Sequence, residues 1–342
     1  MTRAVEVALV GCGAIAQRGY LPALAQVPEV RCAWLVDVRR EVAGPLARRF
    51  GIPGVTDDYL RVLDHVEAVL VAVPNHLHAP MTLEALARGK AVLCEKPLGR
   101  TLEEVRQMVA AAQKARVPLV AGLILRYQPG LQALQRAFPW EALGAVREIR
   151  ASYGNPLDWP VSHLSFFDRE QAGGGAFLDL GVHLVDCLFW ILSLGGASVL
   201  EYQDDGGSGV EAEARASLTV VGAPGARSVP CRLEVSWLRR LGNQIEISGE
   251  RASLRIFLSG PRAPELRGPN GTPPRAVVPL PPSGINVFAE QLRGFARRVR
   301  GVEANCAEGD SQLKVLELVE ACYRMRTSLA FPWDPHEPWT SS

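Results

Sequence analysis

The alternation of apolar and polar positions changes character near residue 125. Before it, short and almost wholly apolar runs recur: Val5 to Val10, Cys32 to Val36, Ala68 to Val73, Ala91 to Cys94 and Pro118 to Leu123. Runs of this length, rich in β-branched residues and bounded by turn residues, mark parallel strands covered on both faces. Between them, Gln17 to Val27, Glu41 to Phe50, Asp57 to Leu63, Ala79 to Arg88 and Leu102 to Lys114 read as helices, with Gly51 and Gly89 closing two. Pro22 should divide or kink the first. Strict alternation of strand and helix predicts right-handed crossovers and an α/β doubly wound parallel sheet over 1–125.

From Arg126 to the end, 126–342, the pattern predicts a second, α+β domain. Gln128 to Phe138 reads as a helix and Ala145 to Tyr153 as a strand. A loop of aromatic and polar residues, Asn155 to Arg169, leads through Gly173-Gly174-Gly175 into a helix from Ala176 to Leu192. Ser198 to Gln203, Ala212 to Val221, Ser228 to Trp237 and Gln244 to Leu258 show partial period-two alternation, as in an antiparallel sheet with one face covered. Pro261 to Ser283, rich in proline and glycine, reads as a surface excursion with one edge strand over Arg275 to Leu280. Helices over Asn286 to Arg300 and Gly309 to Ser328 close the chain.

At 342 residues and 48% hydrophobic content, the chain suits two domains with sizeable cores. Its 37 Lys and Arg balance 36 Asp and Glu, which leaves no electrostatic footprint for nucleic acid or an anionic membrane. No span is expected to cross a bilayer. Seven cysteines without a C-x-x-C pair argue against a disulfide framework and a thiolate zinc site, and predict a reducing, cytoplasmic setting.

The first chemical signal follows the first strand. Gly11-Cys12-Gly13-Ala14-Ile15-Ala16 has the Gly-x-Gly-x-x-Ala form. Gly11 allows a tight turn, Gly13 lets the backbone approach a pyrophosphate, and Ala16 lets the next helix pack on the strand. Free N–H groups and the helix dipole would hold the phosphates. Asp37, at the end of the next strand, is the acid that the motif requires for the ribose 2′-hydroxyl. That carboxylate favours NAD over NADP, although Arg39 and Arg40 follow it and suit a 2′-phosphate. Asn75, His78, Glu95 and Lys96 also fall at strand ends, where doubly wound sheets bind ligands. His76 and His78 lack a nearby third ligand, so loop structure is a better reading than zinc, and no metal is expected.

The second signal lies in the later glycine-rich run. On a helix Asp179 and His183 stand at i and i+4, on one face, and Asp186 continues the stripe. A carboxylate beside an imidazole orients a base and stabilises its protonated form.

Taken together, Gly11-x-Gly13-x-x-Ala16, Pro74-Asn75-x-x-His78, Glu95-Lys96-Pro97 and the glycine-rich run to Asp179-x-x-x-His183 closely resemble the glucose–fructose oxidoreductase, inositol dehydrogenase and rhizopine-catabolism (Gfo/Idh/MocA) family. The resemblance covers nearly the whole chain. It implies an NAD(P)-dependent oxidoreductase of sugars, cyclitols or related hydroxy compounds, with a Rossmann domain and an open, mainly antiparallel second sheet used in homo-oligomer assembly. It places Lys96 near the reacting oxygen, makes the bond to Pro97 cis, and gives substrate binding to Asp179 and His183, with the histidine as general acid/base. Arg126 matches a position that often faces substrate. Ala14, Ile15, Val38, Arg39 and Pro74 join the expected cofactor contacts. Among the rings able to stack on a sugar, Trp159, Trp237, Tyr127 and Tyr153, the loop residue Trp159 is the candidate. Hydride loss from a carbinol needs a base at the hydroxyl. His183 can serve, with Asp179 steadying the imidazolium and Lys96 stabilising charge on oxygen. Two other classes share this fold: a non-catalytic nucleotide-binding sensor, against which the intact lysine, aspartate and histidine speak, and an NAD-dependent glycosidase.

Overall fold

The computed structural model describes residues 3–158, 160–161, 164–260, 262–268, 273–277 and 286–329. Six strands, β1 (Val5–Val10), β2 (Val30–Val36), β3 (Gly54–Thr56), β4 (Ala68–Val71), β5 (Ala91–Cys94) and β6 (Leu119–Ala121), form an all-parallel sheet in the order β3-β2-β1-β4-β5-β6. The order reverses between β1 and β4, and such a switch point opens a crevice at the carboxyl ends of the strands. All four residues of β4 and of β5 are buried, which explains their unbroken apolar sequence.

The second sheet has nine strands: β7 (Val146–Gly154), β8 (Gly196–Asp204), β9 (Glu213–Val221), β10 (Ser228–Ser236), β11 (Gln244–Gly249), β12 (Ser253–Phe257), β13 (Glu265–Arg267), β14 (Arg275–Ala276) and β15 (Arg326–Ser328). It is mixed and mostly antiparallel, with parallel pairings among the described residues between β10 and β7 and between β15 and β8. Alternate residues of β9 and β10 (Ala214, Ala216, Leu218, Val220; Val229, Cys231, Leu233, Val235) face the helices and are buried, while Arg215, Ser217, Arg232 and Glu234 face outward.

The structure revises several element boundaries. The expected first helix is divided beside Pro22: a π-turn over Ala16–Tyr20 gives way to Leu21–Leu24, with the proline in the first turn, where the missing N–H is harmless. The helix expected from Ala79 begins at Asn75, so His76 and His78 are helical rather than in a loop. The segment Gln244 to Leu258 is a hairpin rather than one strand. Its Gly249 lies against the Leu143 carbonyl, where a side chain would not fit. The edge strand expected over Arg275 to Leu280 is β14, two residues long, and Leu280 lies outside the described residues. The last helix ends at Arg324 and continues into β15.

One helical run, Arg169–Leu192, is by length and composition apolar enough to cross a membrane (mean hydropathy 1.7), contrary to expectation. Its apolar window is 78% buried inside the protein, as in a core helix. The helix Val287–Val299 returns from the second half of the chain to the first sheet, packing Leu292 and Phe295 with Val7, Leu9 and Tyr20. Each fully buried ring or leucine there contributes roughly 1.5–3 kcal/mol, so the two halves are held together by core packing.

Candidate active site

A cleft of about 1080 Å³ runs from the glycine turn, across the ends of β2, β4 and β5, to the face of the second sheet's covering helix. Gly11, Gly13, Ala14, Ile15, Asp37, Val38, Arg39, Pro74, Asn75, His78, Glu95, Lys96, Asp179 and His183 all line it. Ala16 does not; it is fully buried, in the packing role expected of it.

The two motif glycines serve different ends. Gly11 has φ +92° and a Cβ there would press into the Ala72 carbonyl, so this glycine is needed by the fold itself. Above Gly13 nothing lies within 4 Å, which leaves the backbone bare toward the cleft. Asp37, at the mouth of β2, accepts the Cys12 N–H through Oδ2 (2.8 Å) and the Arg39 N–H through Oδ1 (2.9 Å). Arg39 Nε stands 3.5 Å from the same carboxylate. A bare glycine backbone, a helix start and a backbone-anchored carboxylate fit a dinucleotide.

At the end of β5 the Lys96–Pro97 bond is cis. Glu95 is buried, accepting the Tyr20 hydroxyl (2.7 Å) and the Lys96 N–H (3.1 Å), and burial raises its pKa. His78 places Nδ1 2.7 Å from the Pro97 carbonyl and Nε2 2.9 Å from the Val73 carbonyl. Burial pushes its pKa down, opposed by the two carbonyl contacts, and the ring bridges the ends of β4 and β5. Asn75 crosses to the second domain, donating to the Ala172 carbonyl at 2.8 Å.

Lys96 and Asp179, 83 residues apart, meet as an ion pair, and Lys96 Nζ also donates to the Asp179 carbonyl at 3.1 Å. The Trp237 indole N–H donates to Asp179 Oδ2 at 2.9 Å. Burial would raise the Asp179 pKa, but the Lys96 ammonium and these hydrogen bonds outweigh it and hold the carboxyl below its usual range. Asp179 lies within a π-turn over Phe177–Gly181, His183 at the start of the helix that follows, and the carboxylate is engaged by Lys96 and Trp237 rather than hydrogen-bonded to the imidazole. Asp179 thus belongs to a Lys96–Asp179–Trp237 chain and acts on the imidazole through its charge, which favours the protonated ring. Burial first, and then the Lys96 ammonium, lower the His183 pKa to about 3. The ring is therefore neutral, and its Nδ1 has no hydrogen-bond partner.

Two candidate substrate residues stand otherwise than expected. Arg126 does not line the cleft; it is buried, with Nε 2.8 Å and Nη2 2.6 Å from the two oxygens of Asp186. Asp186 is thereby absorbed into a structural pair instead of extending the acid–base stripe. Trp159 lies outside the described residues. Conversely, Trp237, considered only as a stacking ring, proves to be a partner of Asp179. Glu211, which passed unnoticed, accepts the N–H groups of Gly175 and Phe177 (each 3.0 Å) at the start of the helix carrying Asp179. Only the turn chemistry of the triple glycine hints at such an anchor. Among the described residues no cluster of three or more His, Cys, Asp or Glu could hold a metal.

Residues 5–123 match the model of an oxidoreductase family with an NAD-binding Rossmann fold, and residues 131–255 match the GFO/IDH/MocA C-terminal domain. The chain belongs to the Gfo/Idh/MocA oxidoreductase family. It is 33% identical over 158 residues to levoglucosan dehydrogenase of Pseudarthrobacter phenanthrenivorans, covering 44% of this chain and 40% of that protein. It is 28% identical to D-apiose dehydrogenase of Paraburkholderia graminis over 92% of this chain and 86% of that protein. Matches to three of the curated relatives span only 40%, 44% and 52% of their length. Among solved structures, an aldose-aldose oxidoreductase from Caulobacter crescentus complexed with glycerol superposes with a TM-score of 0.80 at 26% identity, covering 94% of this chain and 97% of that one. This Gfo/Idh/MocA chain thus shares its fold with that oxidoreductase.

Proposed function

We propose that this chain transfers a hydride between NAD(P) and a secondary hydroxyl or ketone of a sugar, cyclitol or related hydroxy compound. The observation that carries the reading is the meeting of Lys96, from the first sheet, with Asp179 and His183, from the second domain, in the cleft that begins at the glycine turn. Relatives named for levoglucosan, D-apiose and aldoses support a sugar-like substrate.

Bound nicotinamide supplies the hydride chemistry, and the chain supplies placement and proton handling. His183 lines the cleft with a neutral imidazole and is the group placed to accept a hydroxyl proton from substrate, the Asp179 charge favouring the imidazolium against burial and the Lys96 ammonium. The Lys96 ammonium, steadied by Asp179, stabilises negative charge on the reacting oxygen, and in the reductive direction the proton held by His183 returns to that oxygen. Removing water from the cleft strengthens both effects. The Asp37 carboxylate favours a free ribose 2′-hydroxyl, hence NAD over NADP.

The reading extends to a cytoplasmic homo-oligomer. All seven thiols are free, which supports a reducing compartment. The outward face of the second sheet carries Arg215–Glu234, Arg232–Glu148 and Arg255–Glu246 pairs, whose mixed charge suits two-fold self-pairing of that face. The deciding experiment is a screen of sugars, polyols and cyclitols with NAD and NADP, following the reduced cofactor. Net accumulation of NADH supports a dehydrogenase. Substrate cleavage without net NADH marks a glycosidase, and NADH binding with no turnover of any compound marks a sensor. NADPH binding tighter than NADH would overturn the cofactor preference.

A further inference from the structure

Trp237 follows β10 directly and is held from several sides. Its backbone N–H donates to the Ala212 carbonyl and its carbonyl accepts the Leu157 N–H, each at 2.8 Å. The indole stacks on Phe166 (ring centroids 5.0 Å apart, 30° between planes), and the Phe167 ring meets it edge-on at 6.4 Å. A ring so clamped has little freedom, and its one polar atom, Nε1, is directed at Asp179 Oδ2. The other oxygen, Oδ1, holds the Lys96 ammonium. The carboxylate is thus gripped between a clamped donor beside the second sheet and a flexible-stemmed cation from the end of the first. Packing alone would be served equally by phenylalanine; only an indole brings an N–H to this oxygen.

We propose that Trp237 is a positioning residue, whose indole N–H fixes the Asp179 carboxylate so that the Lys96 ammonium is held in the cleft on the same side as His183. The role assigned to Lys96 rests on the hydride-transfer reading above; the link from Trp237 to Asp179 does not. Without the N–H, Asp179 is free to turn about its side-chain bonds and carry Lys96 with it, and displacing a reacting group by about 1 Å is enough to cost on the order of a hundredfold in rate. Because its N–H is engaged by Asp179, Trp237 offers a substrate only its ring.

The link is read directly from the indole N–H resonances of ¹⁵N-labelled protein, which has seven tryptophans. The Trp237 signal is assigned by its loss in Trp237→Phe, or by its proximity to the Phe166 ring should that variant not fold. In Asp179→Ala it is expected to move further than any other indole signal; a Trp237 signal left in place overturns the proposal, whatever the protein's substrate. The consequence is read with the fastest compound of the sugar and polyol screen. Trp237→Phe is expected to lower kcat by about tenfold or more, the factor associated with a hydrogen bond to a charged group. The dissociation constant of NADH should hold within about twofold, since the N–H touches none of the glycine-turn contacts. Adding Trp237→Phe to Asp179→Ala should cause little further loss. A full additional loss in that background, or an unchanged kcat in the single variant, overturns the proposal. A shifted indole signal with no compound turned over would support the link and count against the hydride-transfer reading alone.

Discussion

Replacing Arg126 by methionine separates two roles that the sequence alone leaves entangled. The guanidinium spans both oxygens of Asp186 at 2.8 and 2.6 Å, and also reaches the Cys306 carbonyl (3.3 Å) and Ser311 Oγ (3.0 Å). Side-chain exposure is 7% for the arginine and 2% for the aspartate, so the pair is screened little by solvent. Methionine fills much of the volume but leaves Asp186 with only the Gln312 amide, 3.0 Å away, as a side-chain donor. Removing one partner of a buried pair costs about 3–5 kcal/mol, and with Gln312 retained we place Arg126→Met near the lower end, about 3–4 kcal/mol. For a domain of this size that corresponds to a fall in Tm of roughly 6–16 °C, measured by thermal circular dichroism. Arg126→Met/Asp186→Leu should recover most of the loss, because an apolar pair removes the stranded charge. If Arg126→Met instead keeps its Tm within about 2 °C and raises KM tenfold, the guanidinium serves substrate and the structural assignment is refuted.

Two further outcomes follow from the site. Gly11→Ala must adopt φ +92° with its Cβ against the Ala72 carbonyl, and should lose at least about 2 kcal/mol of stability in urea titration. Gly13→Ala meets no neighbour within 4 Å, so it should unfold at the wild-type urea concentration while NADH binding weakens by about tenfold or more in fluorescence titration. His183 is neutral when folded down to a pKa of about 3, against an ordinary value of 6.5. Between these values the unfolded chain holds a proton that the folded one lacks, so His183 makes stability fall as pH falls below 6.5. His183→Gln should therefore flatten the acid side of the stability curve by about 1.4 kcal/mol per pH unit, and an unchanged slope would place the ring in water.

Much of this was readable in the chain because local pattern reports burial and turn geometry. The all-apolar runs of β4 and β5 could only be strands covered on both faces, and Gly11-x-Gly13 could only close a tight turn. Those two facts already put Asp37, Asn75 and Lys96 at one edge of one sheet. What pattern cannot report is the partner a polar side chain finds after folding. Arg126 and Asp186 lie 60 residues apart, and Trp237 lies 58 from Asp179. Nothing near Arg126 in sequence distinguishes a guanidinium that meets substrate from one that neutralises a buried acid. The final helices are amphipathic either way, so the return of Leu292 and Phe295 to the first sheet was equally hidden. The π-turn over Phe177–Gly181 leaves no mark in an i, i+4 count, yet it helps decide what Asp179 and His183 touch.

The most direct trial of the redox reading is to measure kcat and the NADH dissociation constant side by side in Lys96→Ala and His183→Ala, using the best compound from the screen. Turnover should fall by at least about a hundredfold in each variant, the range for losing one acid–base or charge-stabilising group, while NADH binds within a few-fold of wild type. Near-normal kcat in both variants would contradict it.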